Sequence, residues 1–157
     1  MIDDIGYEIL RILQRKARIP NVEVARQVNM APSAVLERIR KLESQGYIDG
    51  YEVRLNPRRF NRAMVAFIFV ETREAACRKA VADALALIPA IQEIHFIAGP
   101  DRFLVKLRVS GPEELNRLLQ EDIGPIKGIE QTCTHVVLST LKETAMIPIG
   151  EEAHESS

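Results

Sequence analysis

NVEVARQVNMAPSAVLERIRKLESQG, residues 21–46, reads as two short helices separated by a tight turn. In the first, Val24, Ala25 and Val28 fall on one side, and Pro20 stands just outside, at a boundary where proline is tolerated. Asn29 suits the left-handed conformation that closes a helix, and Pro32 suits the first turn of the next one, so Asn29 to Ala31 is expected to be the turn. The second helix carries Val35, Ile39 and Leu42 at i, i+4, i+7 and ends near Gly46, which pays no Cβ penalty at positive φ. At about 100° per residue, Ser33, Glu37, Arg40, Lys41 and Ser44 point away from that stripe. Two helices with this turn between them have helix-turn-helix spacing.

Upstream, Ile5, Ile9, Ile12 and Leu13 form the stripe of a first helix, with Asp3 and Asp4 at its positive end. Downstream, Tyr47 to Leu55 alternates around Asp49-Gly50 and precedes Asn56-Pro57, which predicts a small hairpin wing leading into a linker. Charge follows the same division. Residues 1–60 hold 11 Lys+Arg and 8 Asp+Glu, a balance of +3, whereas the remainder hold 10 and 14, a balance of −4. Between Arg15 and Lys41 seven basic residues face only Glu23 and Glu37, as expected where phosphates are neutralised.

From Ala63 the periodicity changes. Strand (Met64 to Glu71), helix (Ala75 to Ile88), strand (Ile91 to Ala98), strand (Phe103 to Val109), helix (Pro112 to Ile123) and strand (Glu130 to Leu141) follow in order, with a turn at Gly99 to Asp101. This is the βαββαβ order of a ferredoxin-like sandwich. Cys77, Val81, Ala84, Leu85 and Ile88 form one helix stripe and Leu115, Leu118, Leu119 and Ile123 the other, so both helices can cover one face of the sheet. Met64 to Val70 is apolar on both faces, which predicts a second copy of the chain over the other side. The fold class expected is therefore α+β: a winged helix-turn-helix over 1–55, a linker over 56–62, a ferredoxin-like domain over 63–144, and a tail over 145–157, polar and disordered from Gly150.

Several function classes lose support. The start of the chain lacks the basic-then-apolar order of a signal peptide, and no stretch approaches the roughly 20 apolar residues that span a bilayer, so a cytoplasmic location without membrane contact is expected. Cys77 and Cys133 have no partner at a metal or redox spacing, and Cys77 lies on an apolar helix stripe. His95, Cys133 and His135 fall on strands expected at opposite sheet edges, about three spacings of roughly 4.8 Å apart, too far to share an ion within one subunit. Phosphate loops, nucleophile elbows and paired acid/base spacings are missing. Neither an enzyme nor a cofactor or metal is expected.

Extended over Ile2 to Thr144, the sequence resembles the Lrp/AsnC family, the leucine-responsive and asparagine-responsive feast/famine regulators. The residues that carry this are Ile2-Asp3-Asp4-Ile5, Ile9-Leu10, Leu13, Ala17-Arg18-Ile19, Glu23-Val24-Ala25, Ser33-Ala34-Val35, Arg38-Ile39, Leu42 and Gly46 to Tyr51. In the second half they are Ala98-Gly99, Phe103 to Lys106, Gly128-Ile129, Thr132, Thr134, Val136 to Leu138 and Lys142. The resemblance implies a RAM-type second domain, a dimer built through it that assembles further into tetramers or octamers, and amino acids or related molecules bound between neighbouring dimers. Three positions depart from the family pattern. Gly6 replaces the usual aspartate, Ala31 replaces the serine common at the recognition-helix cap, and Arg102 stands before Phe103 where relatives place the aspartate that here is Asp101.

The expected function is a sequence-specific DNA-binding transcriptional regulator modulated by a small effector such as an amino acid. Ser33, Ala34 and Glu37 are expected near base edges of double-stranded DNA, with Arg38, Arg40 and Lys41 reaching phosphates or guanine. The plainer reading of Arg38 is a salt bridge to a neighbouring helix. For the effector, the resemblance points to the backbone around Gly99, Pro100, Asp101 and Arg102 and the hydroxyls of Thr132 and Thr134, against the plainer reading of an ordinary turn and a threonine-rich strand. Two alternatives remain at this point: a nucleoid-like architectural protein that binds phosphates with little base reading, and a tetrapyrrole-processing enzyme on the same two-domain plan, at which only His95 and Arg102 hint.

Overall fold

A computed structural model describes residues 2–99 and 102–149. The described chain clusters into two compact units: the residues up to Arg54 together with those from Lys142 onward, and Leu55–Leu141.

In the first unit α1 (Asp4–Arg15), α2 (Asn21–Gln27) and α3 (Pro32–Ser44) enclose a core of Ile9, Leu10, Ile12, Leu13, Val24, Ala25, Val35, Ile39 and Leu42. Both ends of the expected turn-and-helix signal are built as read. Asn29 adopts φ 52° after α2, and the Met30 N–H donates to the Ala25 carbonyl at 2.9 Å. Gly46 adopts φ 73° after α3, with the Tyr47 N–H on the Leu42 carbonyl at 2.9 Å and the Gly46 N–H on the Glu43 carbonyl at 3.0 Å. These are Schellman closures, in which a left-handed residue turns the chain and satisfies carbonyls the helix leaves open. Ala31 caps α3 without a side-chain hydrogen bond, which costs that helix about 1 kcal/mol against a serine.

The wing differs from expectation. Tyr47 to Leu55 contains no strand, and Tyr47, Tyr51, Val53 and Leu55 are exposed. An isolated two-stranded hairpin is marginal in water, and here neither a third strand nor a packed apolar face supports one. The segment expected as a linker, 56–62, contains a 3-10 turn, Pro57–Phe60, whose Asn56 side chain accepts from the Arg58 N–H at 3.1 Å.

The second unit is a four-stranded antiparallel sheet ordered β2 (Ile91–Ile97), β3 (Arg102–Val109), β1 (Met64–Thr72), β4 (Ile129–Val136). Helix α4 (Arg78–Ala86) and α5 (Pro112–Arg117), the latter prolonged by a π-helical stretch Leu118–Ile123, pack on one face. Ala66, Ile68 and Val70 of β1 and Phe103, Val105, Leu107 and Val109 of β3 meet Val81, Leu85, Leu115, Leu118 and Ile123 there. Gly128 precedes β4 at φ 99°, and a Cβ at that position would lie 2.8 Å from Cys77 Cβ, so α4 approaches the chain more closely than any other residue allows. The fourth strand stops at Val136, short of the expected Leu141, and Leu138 and Leu141 are almost fully exposed.

Residues 142–149 cluster with the first unit. Ile147 exchanges two hydrogen bonds with the Gln14 side chain, its N–H donating to Oε1 at 2.9 Å and its carbonyl accepting from Nε2 at 3.2 Å. Arg11 Nε donates to the Ile149 carbonyl at 3.4 Å, and Ile149 packs against the first core. The expected disorder from Gly150 lies outside the described residues.

Candidate DNA interface and effector site

On α3 the buried residues Val35, Ile39 and Leu42 define one face, and Ser33, Glu37, Arg40, Lys41 and Ser44 are exposed, away from that stripe as the helical spacing predicts. Ala34 is half-buried and lines an open cleft of about 400 Å³ between α3 and the start of α1, together with Ile2, Asp3, Gly6, Glu37, Arg38 and Lys41.

Arg38 is placed differently from its exposed neighbours. Its Nη1 donates to both Asp3 carboxylate oxygens at 2.8 Å. Asp3 is the N-cap of α1, and its Oδ1 also accepts from the Gly6 N–H at 2.9 Å. The Arg38 hydrogen bond, and after it the Gly6 N–H, hold the Asp3 carboxyl below the usual carboxylate range. On α2, Arg26 pairs with Glu23 at 2.6 Å; that bond, with a second from Gln27, pulls the Glu23 carboxyl down to about 2. The pairing raises the Arg26 guanidinium in turn. The Arg38–Asp3 pair is the salt bridge to a neighbouring helix that the plainer reading of Arg38 named, although its partner, 35 positions away, lies beyond the reach of sequence periodicity; Glu23–Arg26 is a local i,i+3 pair on α2.

The effector candidates divide between faces of the sheet. Paired residues in an antiparallel ladder share a face. Thr134 pairs with Ile68 and Thr132 with Val70, so both hydroxyls lie on the helix-covered side of the edge strand β4, where Thr132 is exposed and Thr134 half-buried. Arg102 pairs with Glu71 and lies on the open face. Its guanidinium carbon sits 4.2 Å from the Phe69 ring centroid and its Nη1 lies 3.5 Å from Glu71 Oε1, while its Nε is buried without a hydrogen-bond partner. Gly99 is exposed at φ 102°. Pro100 and Asp101 lie outside the described residues. One chain therefore does not bring Arg102 and the two threonines together.

The open face continues as alternating apolar and charged groups. Phe69 meets His135 edge-on, with ring centroids 5.5 Å apart. Lys106 Nζ donates to Glu93 Oε1 at 2.9 Å and His95 Nε2 lies 3.2 Å from Oε2, and these two partners, Lys106 foremost, lower the Glu93 carboxyl. Strands β2 and β4 occupy opposite edges. Among the described residues no group of three or more His, Cys, Asp or Glu could hold a metal ion, and no helix is long and apolar enough to cross a membrane.

Comparison with known proteins agrees with both halves. Residues 2–49 match a winged helix-turn-helix DNA-binding model and residues 65–147 match the Lrp/AsnC ligand binding domain. The chain is 38% identical to the HTH-type transcriptional regulator FL11 of Pyrococcus horikoshii over 94% of its own length and 97% of that protein's. It is 33% identical to the leucine-responsive regulatory protein of Escherichia coli, covering 94% and 92% of the two chains. A transcriptional regulator of Neisseria meningitidis, solved in complex with L-Met, superposes with a TM-score of 0.91 at 26% identity, covering 94% of this chain and 97% of that one. A DNA-binding helical unit and a ligand-binding sheet unit, matched in order along nearly the whole chain, show that it belongs to the Lrp/AsnC family of transcriptional regulators.

Proposed function

We propose that the protein is a sequence-specific transcriptional regulator without catalytic activity, whose DNA affinity or assembly responds to an amino acid. The observation that carries this is the combination, in one chain, of a helix-turn-helix match over 2–49 and a ligand-binding-domain match over 65–147. Support for the effector class comes from relatives: one is named leucine-responsive and another was solved with L-Met. The reading locates the protein in the cytoplasm, with the DNA it regulates.

In this reading Ser33, Ala34 and Glu37 face base edges, and Arg40 and Lys41 supply charge to phosphates or guanine. The open sheet face, with Val65 buried and Phe67, Phe69 and Leu104 half-buried, is the surface for a homodimer, and such dimers associate into tetramers or octamers. The residues from Gly99 to Arg102 hold the effector, with the spare Arg102 Nε–H as a donor to its carboxylate. Because Thr132 and Thr134 lie on the opposite face from Arg102, a site using both sets draws them from different copies of the chain.

Titration of a labelled duplex from the protein's own upstream region against a scrambled duplex, at two salt concentrations, tests the DNA half. Preference for the upstream duplex supports regulation. Equal affinity with a steep salt dependence supports architectural binding instead, and no binding at all revives the tetrapyrrole-enzyme alternative.

A further inference from the structure

The helix that faces DNA in the proposed function carries four charged side chains within five positions, Glu37, Arg38, Arg40 and Lys41, and the structure treats one of them differently. Exposed Arg40 and Lys41 project from α3, whereas Arg38 is drawn to the α1 side of the helix and ends on Asp3. Asp3 is held by two partners and has room for both. It caps α1 through the Gly6 N–H, it receives Arg38, and Gly6 leaves room for it, since a Cβ at Gly6 would stand 3.1 Å from Asp3 Oδ1. The departure from the family pattern at Gly6 thus falls beside this ion pair. One charge-assisted contact therefore joins the N-terminus of α1 to the middle of α3, between two residues that line the cleft.

We propose that Arg38 is a positioning residue and not a DNA contact: its bond to Asp3 sets the roll of α3 about its own axis, and so decides whether Ser33, Glu37 and Arg40 meet base edges. Because Val35, Ile39 and Leu42 keep α3 seated in the core, the change is a small one: a slightly altered roll still presents positive charge to phosphates but shifts the side chains that meet base edges. The pair therefore governs discrimination between sequences and leaves the number of phosphate contacts untouched. This rests on the DNA-binding reading above.

The test uses full-length protein and a duplex enriched by the wild type from a random pool, compared with unenriched duplex over a range of salt. Arg38→Gln and Asp3→Asn are the informative variants, the second because asparagine caps a helix as well as aspartate does and removes only the charge. Each is expected to lower the preference for the enriched duplex by about tenfold, the scale of one lost base contact, with the salt slope unchanged. The double variant is expected to lose less than the two singles summed, because both act on the same ion pair. If Arg38 instead touches a phosphate, Arg38→Gln flattens the salt slope by about 0.9 and weakens both duplexes alike, while Asp3→Asn does not weaken either; that pattern overturns the proposal. Failure of the wild type to enrich any sequence removes the DNA-binding reading and the proposal with it, and is distinguishable because it appears before any variant is made. A matched melting curve for each variant identifies misfolding, and Arg38→Lys, which keeps the charge and loses the reach to both oxygens, gives the same loss of preference at an unchanged slope if the proposal holds.

Discussion

Replacement of Gly128 by alanine isolates the close approach on which the second unit depends. Two costs add. At φ 99° an alanine is strained, about 1–3 kcal/mol. Its methyl would also stand 2.8 Å from Cys77 Cβ and 3.2 Å from Val81 Cγ2, so α4 must move from the sheet, at a further cost of about 1–3 kcal/mol. Gly99→Ala supplies a matched control. Its φ is 102° and, among the described residues, nothing lies within 4 Å of the new Cβ, so it carries the strain without the clash. Urea denaturation followed by far-ultraviolet circular dichroism, with hydrogen exchange of the β1 amides, reads the difference. Gly128→Ala is expected to exceed Gly99→Ala by about 1–3 kcal/mol, a large part of a typical total stability of about 5–15 kcal/mol. Cys77→Ala is expected to give little rescue, because it removes Sγ and leaves the closer Cβ. Equal losses at the two glycines would refute the argument that α4 is seated on position 128.

Asn29→Val is expected to destabilise the first unit by about 1–2 kcal/mol, since a β-branched residue resists the left-handed turn after α2, while Asn29→Gly should stay within a few tenths; tyrosine fluorescence reads this, because Tyr7, Tyr47 and Tyr51 all lie in that unit. Although the Tyr51 side chain as a whole is half exposed, partial desolvation of its hydroxyl, and then the hydrogen bond to Glu43 Oε1 at 2.9 Å, push that hydroxyl up to about 12. A folded-state value raised above the ordinary 10 gives stability that is complete below pH 10 and is lost as pH rises towards 12, so a phenolate absorbance titration should show one tyrosine ionising late and Glu43→Gln should advance it. Gln14→Ala removes both bonds to Ile147, so amide exchange at Ile147 should accelerate while the α1 amides stay protected, at a cost of about 1 kcal/mol or less.

Local signals were the legible ones. The stripe of Ile9, Ile12 and Leu13, the left-handed Asn29 and Gly46, and the alternation of strand and helix after Ala63 each depend on neighbours within a few positions, and each appears in the structure. The hairpin around Asp49-Gly50 shows the limit of that reasoning. A turn dipeptide specifies where a chain can reverse, but strands form only when an apolar face has something to cover, and Val53 and Leu55 have nothing. The site needed information at longer range. That Thr132 and Arg102 face opposite sides follows from ladder register, and a shift of one residue would reverse it. The docking of residues 142–149 on α1 left a signal in the apolar Met146, Ile147 and Ile149 beyond the last strand, but no local rule says what such residues meet. A salt bridge from Arg38 to a neighbouring helix was legible as its plainer reading, but that Asp3 is the partner only the folded unit reveals.

The measurement that bears most directly on the account is the affinity of the full-length protein for its preferred duplex with each common amino acid added in turn. The account predicts that at least one changes that affinity by about 5–150-fold, the usual scale of coupling between two sites, and that Arg102→Ala abolishes the change while DNA binding without effector persists. Unaltered affinity across the whole panel, with binding to DNA intact, would contradict it.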